Sequence, residues 1–194
     1  NNEAPSDLRS FYRLLDKKSH PDGKQFNYVS PNSDLLGWII ERSTGERFSD
    51  LLSDLFWKPL GATMPSYITV DRLGAPRVAG GLCTTAIDLA LVGQLFLDYG
   101  FTNGQQILPK NWLQDIQENG SRDAWLEGNF AEYFPNRDMH YRSKWYVDHG
   151  ANDSKAELVF GLGVHGQNLF INSKNRIVIA KFSSQAAPLD PHLI

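Results

Sequence analysis

The chain contains 194 residues, of which 41% are hydrophobic and 21% are charged, with a formal net charge of −3. This composition predicts one globular domain with a sizeable core, and the mixed charges argue against nucleic-acid binding, which requires a basic patch. A single cysteine, Cys83, excludes an internal disulfide and a cysteine-rich zinc site, and no apolar run approaches the roughly 20 residues that span a bilayer.

The first part of the chain carries start and stop signals for three helices. Ser6 is expected to cap the first helix. Ser30 is expected to cap the second, with Pro31 in its first position and Gly45 at its end. Ser49 is expected to cap the third. The apolar stripe of the second helix consists of Leu35, Leu36, Ile39 and Ile40.

The middle of the chain alternates between helix breakers and further helix signals. Pro59 is expected to stop the third helix, and residues 61–83, rich in Gly and Pro, are predicted to form mainly loops. Thr85 and Asp88 have the spacing of a capping box at the start of another helix, and Gly100 is expected to end that helix.

The last part of the chain has the composition of β-strands. Four short runs are rich in β-branched and aromatic residues, namely KWYV, LVFGLGV, QNLFIN and RIVIAKF. The run RIVIAKF is apolar on both faces, so we expect the sheet to be covered on both sides. Helices followed by antiparallel strands predict an α+β fold, mainly helical over about residues 1–140 and a sheet over about 141–194.

Self-contained catalytic and cofactor motifs do not occur in the sequence. The patterns G-x-S-x-G, H-E-x-x-H and the P-loop are missing. The segment GLGVHG at residues 161–166 lacks the glycine spacing and the following helix of a dinucleotide loop. None of the five histidines pairs with another at the helical spacing of metal ligands. The sequence therefore predicts neither a metal site nor a cofactor.

Three blocks of the sequence resemble, in the right order, the serine β-lactamase and penicillin-binding-protein superfamily. FNYVSPNSDLLGWIIERSTGERFSDLLSDLFWKPLGA, which starts at Phe26, is similar to the second motif of the class C-like branch. AGGLCTTAIDLALVGQLFLDYG resembles the start of that branch's following helix, and FGLGVHGQNLFINSKNRIVIAKFSS resembles its terminal strands. Within the branch, YVSPNSDLLGW and GGLCTT resemble the 6-aminohexanoate-dimer, or nylon-oligomer, hydrolases.

The resemblance implies a helical domain beside an antiparallel sheet, and a serine hydrolase that works through an acyl-enzyme. Tyr28 matches the tyrosine that passes protons between the nucleophilic serine and the leaving amine. Ser30 matches the third residue of the same motif, a polar contact to the lysine or substrate. The alternatives are structural: Tyr28 packs under the second helix, and Ser30 only caps it. A phenol near pKa 10 is a poor base at neutral pH, and a neighbouring ammonium would favour the phenolate.

The family's third motif, usually Lys-Thr-Gly or His-Thr-Gly, is replaced by Gly-Leu-Gly at residues 161–163. The resemblance implies that Val164 supplies a backbone N–H to an oxyanion hole and that Gly163 binds substrate beside it. His165 is expected to point to the opposite face of the strand and to be structural. His192 matches a pocket position of the nylon-oligomer hydrolases, where it would contact a polar substrate end; plain exposure is the alternative.

No Ser-x-x-Lys occurs in the 194 residues, so the resemblance places the nucleophile in a segment of the polypeptide outside this chain. The chain is therefore expected to be a fragment that pairs with the remainder of the same polypeptide. A small amide or ester is the expected substrate, and a homodimer is left open. A hydrolase of open-chain amides or esters is favoured over a β-lactamase or D,D-peptidase, because no cation occupies the third motif. The aromatic stretch from Trp125 to Tyr141 would wall the cleft.

A reading from another class also stays open. A non-catalytic binding or regulatory module could have kept the pocket of this family and lost its nucleophile. The sequence upstream of the tyrosine motif separates the two readings, because Ser-x-x-Lys there means an enzyme.

Overall fold

The computed structural model describes residues 7–15, 23–150 and 156–186. Its helices are α1 (Leu8–Arg13), α2 (Pro31–Thr44), α3 (Phe48–Leu52), α4 (Lys58–Leu60), α5 (Ala86–Leu97), α6 (Lys110–Glu118) and α7 (Arg122–Leu126), and a π-helical turn (Ser53–Trp57) joins α3 to α4. Its strands are β1 (Tyr67–Ile68), β2 (Leu82–Cys83), β3 (Phe101–Thr102), β4 (Gln105–Gln106), β5 (Met139–Arg142), β6 (Trp145–Asp148), β7 (Leu158–Gly163), β8 (Gln167–Asn172) and β9 (Ile177–Lys181).

The main sheet is an antiparallel meander in which the last five strands pair in chain order, from β5 to β9. Helices α5 and α6 pack on one of its faces. Val147, Val159 and Ile171 from three adjacent strands meet Phe96 of α5 and Leu113 of α6 in the main core. The predicted α+β order of helices followed by antiparallel strands is therefore confirmed, and β5 is a strand that the sequence analysis missed.

Helix α2 packs closely against the loop that precedes β2. A Cβ at Gly37 would lie only 2.4 Å from a methyl carbon of Val78, so only glycine allows this approach. The buried carboxylate of Asp34 accepts a hydrogen bond from the Ala79 N–H at 2.7 Å and lies 3.5 Å from the Arg77 guanidinium. These contacts fix the start of α2 against residues 77–81.

The apolar stripe of α2 is largely exposed. Leu36 and Ile39 are 48% and 52% exposed, and Ile40 is also exposed. The apolar run of β9 was predicted to be covered on both of its faces, and for the described residues this prediction is wrong. Val178 of β9 packs into the core, whereas Ile177 and Ile179 face outward and are exposed. The sequence patterns therefore identified the apolar faces of α2 and β9. They did not show which of these faces is buried.

The helix starts differ in detail from the predictions. The Asp7 carboxylate caps α1 by accepting the Ser10 N–H at 2.9 Å, while Ser6 lies outside the described residues. Helix α2 has the predicted bounds, from Pro31 to a left-handed Gly45, but the Ser30 side chain makes no capping hydrogen bond.

The third predicted helix starts and ends elsewhere than the sequence suggested. Residue Arg47, not Ser49, precedes α3. Pro59 does not stop the helical path, which continues to a left-handed Gly61. Proline is tolerated there because it falls in the first turn of α4, directly after the π-helical turn, where an N–H is not needed.

The predicted cap of α5 is confirmed, and its aspartate has an additional role. The Thr85 hydroxyl accepts the Asp88 N–H at 3.1 Å. The carboxylate of Asp88 is fully buried and accepts hydrogen bonds from the N–H groups of Thr63 and Met64. These bonds lower the pKa of Asp88. Asp88 thus ties the loop after α4 to the start of α5.

Candidate active site

The backbone before α2 is held against α7 and the loop that follows it. The N–H of Phe26 donates to the Ala124 carbonyl at 2.7 Å, and the Asn129 N–H donates to the Phe26 carbonyl at 3.3 Å. The Phe26 ring lies 4.4 Å from that of Tyr141 and stacks on Trp125. Two residues further on, Tyr28 leaves this anchored segment.

Tyr28 sits on an aromatic bed and remains accessible. Its ring centroid lies 5.3 Å from that of Phe130 and 6.4 Å from that of Tyr146, on which it stacks. Its side chain is 37% exposed. Burial, with a smaller contribution from neighbouring phenols, raises the pKa values of Tyr141 and Tyr146 well above that of a free tyrosine. Those two neighbours therefore stay neutral, and Tyr28 is the accessible phenol of the three.

A cavity of about 1140 Å³ lies between the start of α2, the loop before α5 and the main sheet. Its wall includes four of the five predicted site residues, namely Tyr28, Ser30, Gly163 and Val164. Much of the remaining wall is aromatic or aliphatic, including Leu82, Phe130, Phe134, Phe160, Phe170 and Phe182. The fifth residue, His192, lies outside the described residues.

Strand β7 ends at the cavity in a tight turn. Val164 opens a 3₁₀ turn that runs to Gly166, and its side chain is exposed. His165 adopts a left-handed conformation, with φ of 60°, and its Nδ1 lies 3.0 Å from the Gln185 carbonyl oxygen. The prediction that His165 points to the opposite face of a strand is wrong, because the strand has already ended. Its contact with Gln185 agrees with the expected structural role.

A clamp beside this turn involves Gln167 and Ser183. The Gln167 side-chain amide donates to the Ser183 carbonyl, and its amide oxygen accepts the Ser183 N–H at 3.3 Å. This pairing joins the start of β8 to the chain after β9. It therefore fixes the turn that presents Val164 to the cavity.

A second cavity, of about 380 Å³, shares Tyr28 with the first. It lies between Leu36, Gly37 and Ile40 of α2 and the sheet side formed by Tyr141, Lys144 and Gly161. Burial lowers the pKa of the Lys144 ammonium. Tyr28 thus stands where two cavities meet, and the smaller one runs beside the exposed apolar face of α2.

The large cavity also holds charges that the sequence analysis missed. Arg137 and Asp148 line it, with Nε of the arginine 3.2 Å from a carboxylate oxygen of the aspartate. The two residues lie across the β5–β6 hairpin from each other, since Met139 pairs with Asp148. Predicting this contact from the sequence would have required the register of the β5–β6 hairpin, and β5 was not predicted.

The described residues contain neither a metal-binding cluster nor a membrane-spanning helix. Over residues 7–15, 23–150 and 156–186, no group of three or more His, Cys, Asp or Glu side chains could hold a metal ion. Helices in the same ranges are too short or too polar to cross a membrane.

Comparison with known families decides what kind of protein carries this arrangement. The sequence model of the family named Beta-lactamase matches residues 6–193, nearly the whole chain. The chain belongs to the beta-lactamase family. This membership confirms the resemblance of the three sequence blocks, and the helices beside an antiparallel sheet are the expected architecture.

Individual members of the beta-lactamase family are similar over nearly the same residues. A 6-aminohexanoate-dimer hydrolase from Paenarthrobacter ureafaciens is 36% identical over 188 residues, which are 97% of this chain and 46% of that protein. A solved structure from Bacillus anthracis, assigned provisionally as a 6-aminohexanoate-dimer hydrolase, superposes with a TM-score of 0.83 at 29% identity and covers 99% of this chain and 46% of its own.

A more distant structure extends the likeness in fold. A beta-lactamase/D-alanine carboxypeptidase from Yersinia pestis has a TM-score of 0.71 at 18% identity, covering 97% of this chain and 58% of that one. The chain thus spans about half the length of the first relatives that it matches. The catalytic and binding roles of Tyr28, Ser30, Gly163, Val164 and His192 stay predictions.

Proposed function

We propose that the intact protein is a serine hydrolase that cleaves open-chain amides or esters through an acyl-enzyme. The observation that carries this proposal is the position of Tyr28, which lines the same large cavity as Ser30, Gly163 and Val164. The nucleophilic serine and its lysine belong to a Ser-x-x-Lys motif in a part of the polypeptide outside this chain, as the match to half of each relative's length suggests.

In this proposal Tyr28 carries protons between the serine, the substrate and the leaving group. Its accessibility, its place on the cavity wall and the neutral phenols of Tyr141 and Tyr146 beside it support that role. The N–H of Val164 would stabilise the oxyanion of the tetrahedral intermediate, and the place of this residue on the cavity wall, at the start of the turn, supports that role. Ser30 would make a polar contact, which its lack of a capping bond permits.

The remainder of the polypeptide would supply the segment that covers α2. Leu36, Ile39 and Ile40 form an exposed apolar face beside the smaller cavity. Contiguous apolar surface of this kind is expected to be buried against another element. A helix carrying the serine and lysine against this face would bring both groups next to Tyr28.

The wall of the large cavity favours extended apolar substrates. Aromatic and aliphatic side chains dominate it, and the Gly-Leu-Gly of residues 161–163 offers no cation for a β-lactam carboxylate at the third-motif position. The 6-aminohexanoate-dimer hydrolase from Paenarthrobacter ureafaciens supports a linear amide as the natural kind of substrate. A β-lactamase or D,D-peptidase is the alternative activity, and a non-catalytic module is the alternative without chemistry.

The decisive experiment compares kcat/KM of the full-length protein on nitrocefin, a short-chain p-nitrophenyl ester and a linear aminohexanoate dimer. We expect higher values on at least one open-chain substrate than on nitrocefin. A higher value on nitrocefin than on both open-chain substrates would return the protein to β-lactam hydrolysis. No turnover of any of the three, in a correctly folded protein, would favour the non-catalytic module.

A further inference from the structure

The large cavity contains one ion pair in an otherwise uncharged wall. Among the described residues that line it, Arg137 and Asp148 alone carry full charges. Neighbours of Arg137 in the loop before β5, namely Phe134 and Pro135, are apolar, and Phe160 lies across the sheet. Charged groups are costly beside apolar surface unless they are paired, so a pair at this place calls for an explanation.

The two members of the pair differ in burial. The Asp148 side chain is 5% exposed, whereas that of Arg137 is 57% exposed. One Asp148 oxygen accepts the Gly150 N–H at 2.9 Å, and the other lies 3.2 Å from the Arg137 Nε. The aspartate is therefore an anchored counter-ion, and the arginine is the member that a molecule in the cavity can reach.

The chemistry of arginine defines what such a group would bind. A guanidinium carries five N–H donors in a planar fork that matches a carboxylate, and the Asp148 contact at Nε leaves donors for a second anion. A cationic group would instead meet the exposed positive charge first, because the carboxylate behind it is buried. The accessible end of the pair thus selects for anions.

We infer that Arg137, positioned by Asp148, is the subsite that binds the terminal carboxylate of a linear substrate whose apolar chain lies along the aromatic wall. This inference rests on the proposed function, since it names the substrate end that the same cavity recognises. It makes Arg137 a specificity-determining residue and Asp148 a positioning residue, and it assigns neither of them to the chemical step.

The test uses three six-carbon ligands that differ only in their end group: hexanoate, hexan-1-ol and hexylamine. Dissociation constants are measured by NMR titration of the intact protein. We expect hexanoate to bind about tenfold more tightly than hexan-1-ol, the scale of one charge-assisted contact. Arg137→Gln should abolish this preference, and Arg137→Lys should keep only part of it because lysine lacks the fork.

The matched control is Arg47→Gln. Arg47 also pairs with an aspartate, at 2.8 Å from Asp50, but it is 79% exposed and does not line the cavity. The Arg47→Gln substitution removes the same charge as Arg137→Gln but outside the cavity, so this variant should keep the preference for hexanoate. Because the titration needs no turnover, failure of ester hydrolysis would not affect it. Equal binding of hexanoate and hexan-1-ol, a preference that survives Arg137→Gln, or tightest binding of hexylamine would each overturn the inference.

Discussion

His149 and His140 form a buried hydrogen-bonded pair, with Nε2 of His149 2.9 Å from Nδ1 of His140. The other ring nitrogen of His140, Nε2, lies 2.8 Å from the Ile116 carbonyl oxygen at the C-terminal part of α6. Because a carbonyl only accepts, His140 donates from Nε2; burial lowers the pKa of His140 and favours the neutral ring, whose Nδ1 then accepts from Nε2 of His149. This arrangement requires His140 to be neutral, and it joins α6 to the β5–β6 hairpin.

The first prediction concerns acid stability. Burial lowers the pKa of His140 below its ordinary value near 6.5, so the unfolded state takes up the proton first as the pH falls. The free energy of unfolding should therefore be highest above pH 6.5 and should decrease below it, with a limiting slope of about 1.4 kcal/mol per pH unit for one proton. Urea denaturation of the intact protein from pH 7.5 to 5.5 measures this slope.

Three carboxylates with lowered pKa values contribute little in that window. The pKa values of Asp88, Asp98 and Asp115 are lowered by hydrogen bonds, so these groups protonate at more acidic pH. The control variant is His165→Gln, which replaces an exposed histidine and should leave the slope unchanged. A stability that stays flat down to pH 5.5 would show that the folded pair accepts a proton without cost.

The second prediction concerns Tyr28→Phe in the intact protein. The substitution keeps the ring contacts with Phe130 and Tyr146 and removes only the hydroxyl, so stability should change little. The turnover rate should fall by about 100-fold or more, the usual scale of general acid–base catalysis. Steady-state kinetics on a p-nitrophenyl ester and on an aminohexanoate dimer provide the measurement.

Tyr133→Phe is the matched control for this substitution. Tyr133 lines the same cavity and lies 5.5 Å from the same Phe130 ring, and it is also exposed. It should keep the rate of the unchanged protein. Full activity of Tyr28→Phe on both substrates would make Tyr28 a packing residue only.

The third prediction concerns the exposed face of α2. If the remainder of the polypeptide covers this face, Ile39→Lys should destabilise the intact protein by at least about 2 kcal/mol, because it buries a charge and removes apolar contacts. Leu126→Lys is the control, since Leu126 is an exposed apolar residue of α7, outside the apolar face of α2. Thermal and urea denaturation measure both variants. An unchanged stability of Ile39→Lys would mean that solvent covers this face in the intact protein too.

Local signals in the sequence predicted much of the fold. Gly45 ended α2 where its left-handed conformation is needed, and the alternation of turns and β-rich runs predicted β6 to β9. Strand β5 was missed because MHYR carries a charge and a histidine, and its burial depends on pairing with β6. Pattern alone showed which side of α2 is apolar, and it could not show what covers that side.

The candidate site was predictable only through family motifs. Tyr28, Ser30, Gly163 and Val164 were located by resemblance, and the fold brings all four to one cavity. The contact between Arg137 and Asp148 depends on the hairpin register, which no local pattern specifies. The sequence predicted only a helix cap at Asp88, because its hydrogen-bond partners Thr63 and Met64 lie about 25 residues away in the chain.

The aromatic bed under Tyr28 links folding to the formation of the site. Phe26 and Tyr28 precede α2, whereas Tyr146 and Phe160 lie more than 100 residues later in the sheet. Forming contacts of such long sequence separation requires the closure of a large loop, which costs conformational entropy. Partial unfolding of either region would remove the ring contacts that hold Tyr28 at the cavity wall, so the position of this candidate residue depends on the cooperatively folded whole.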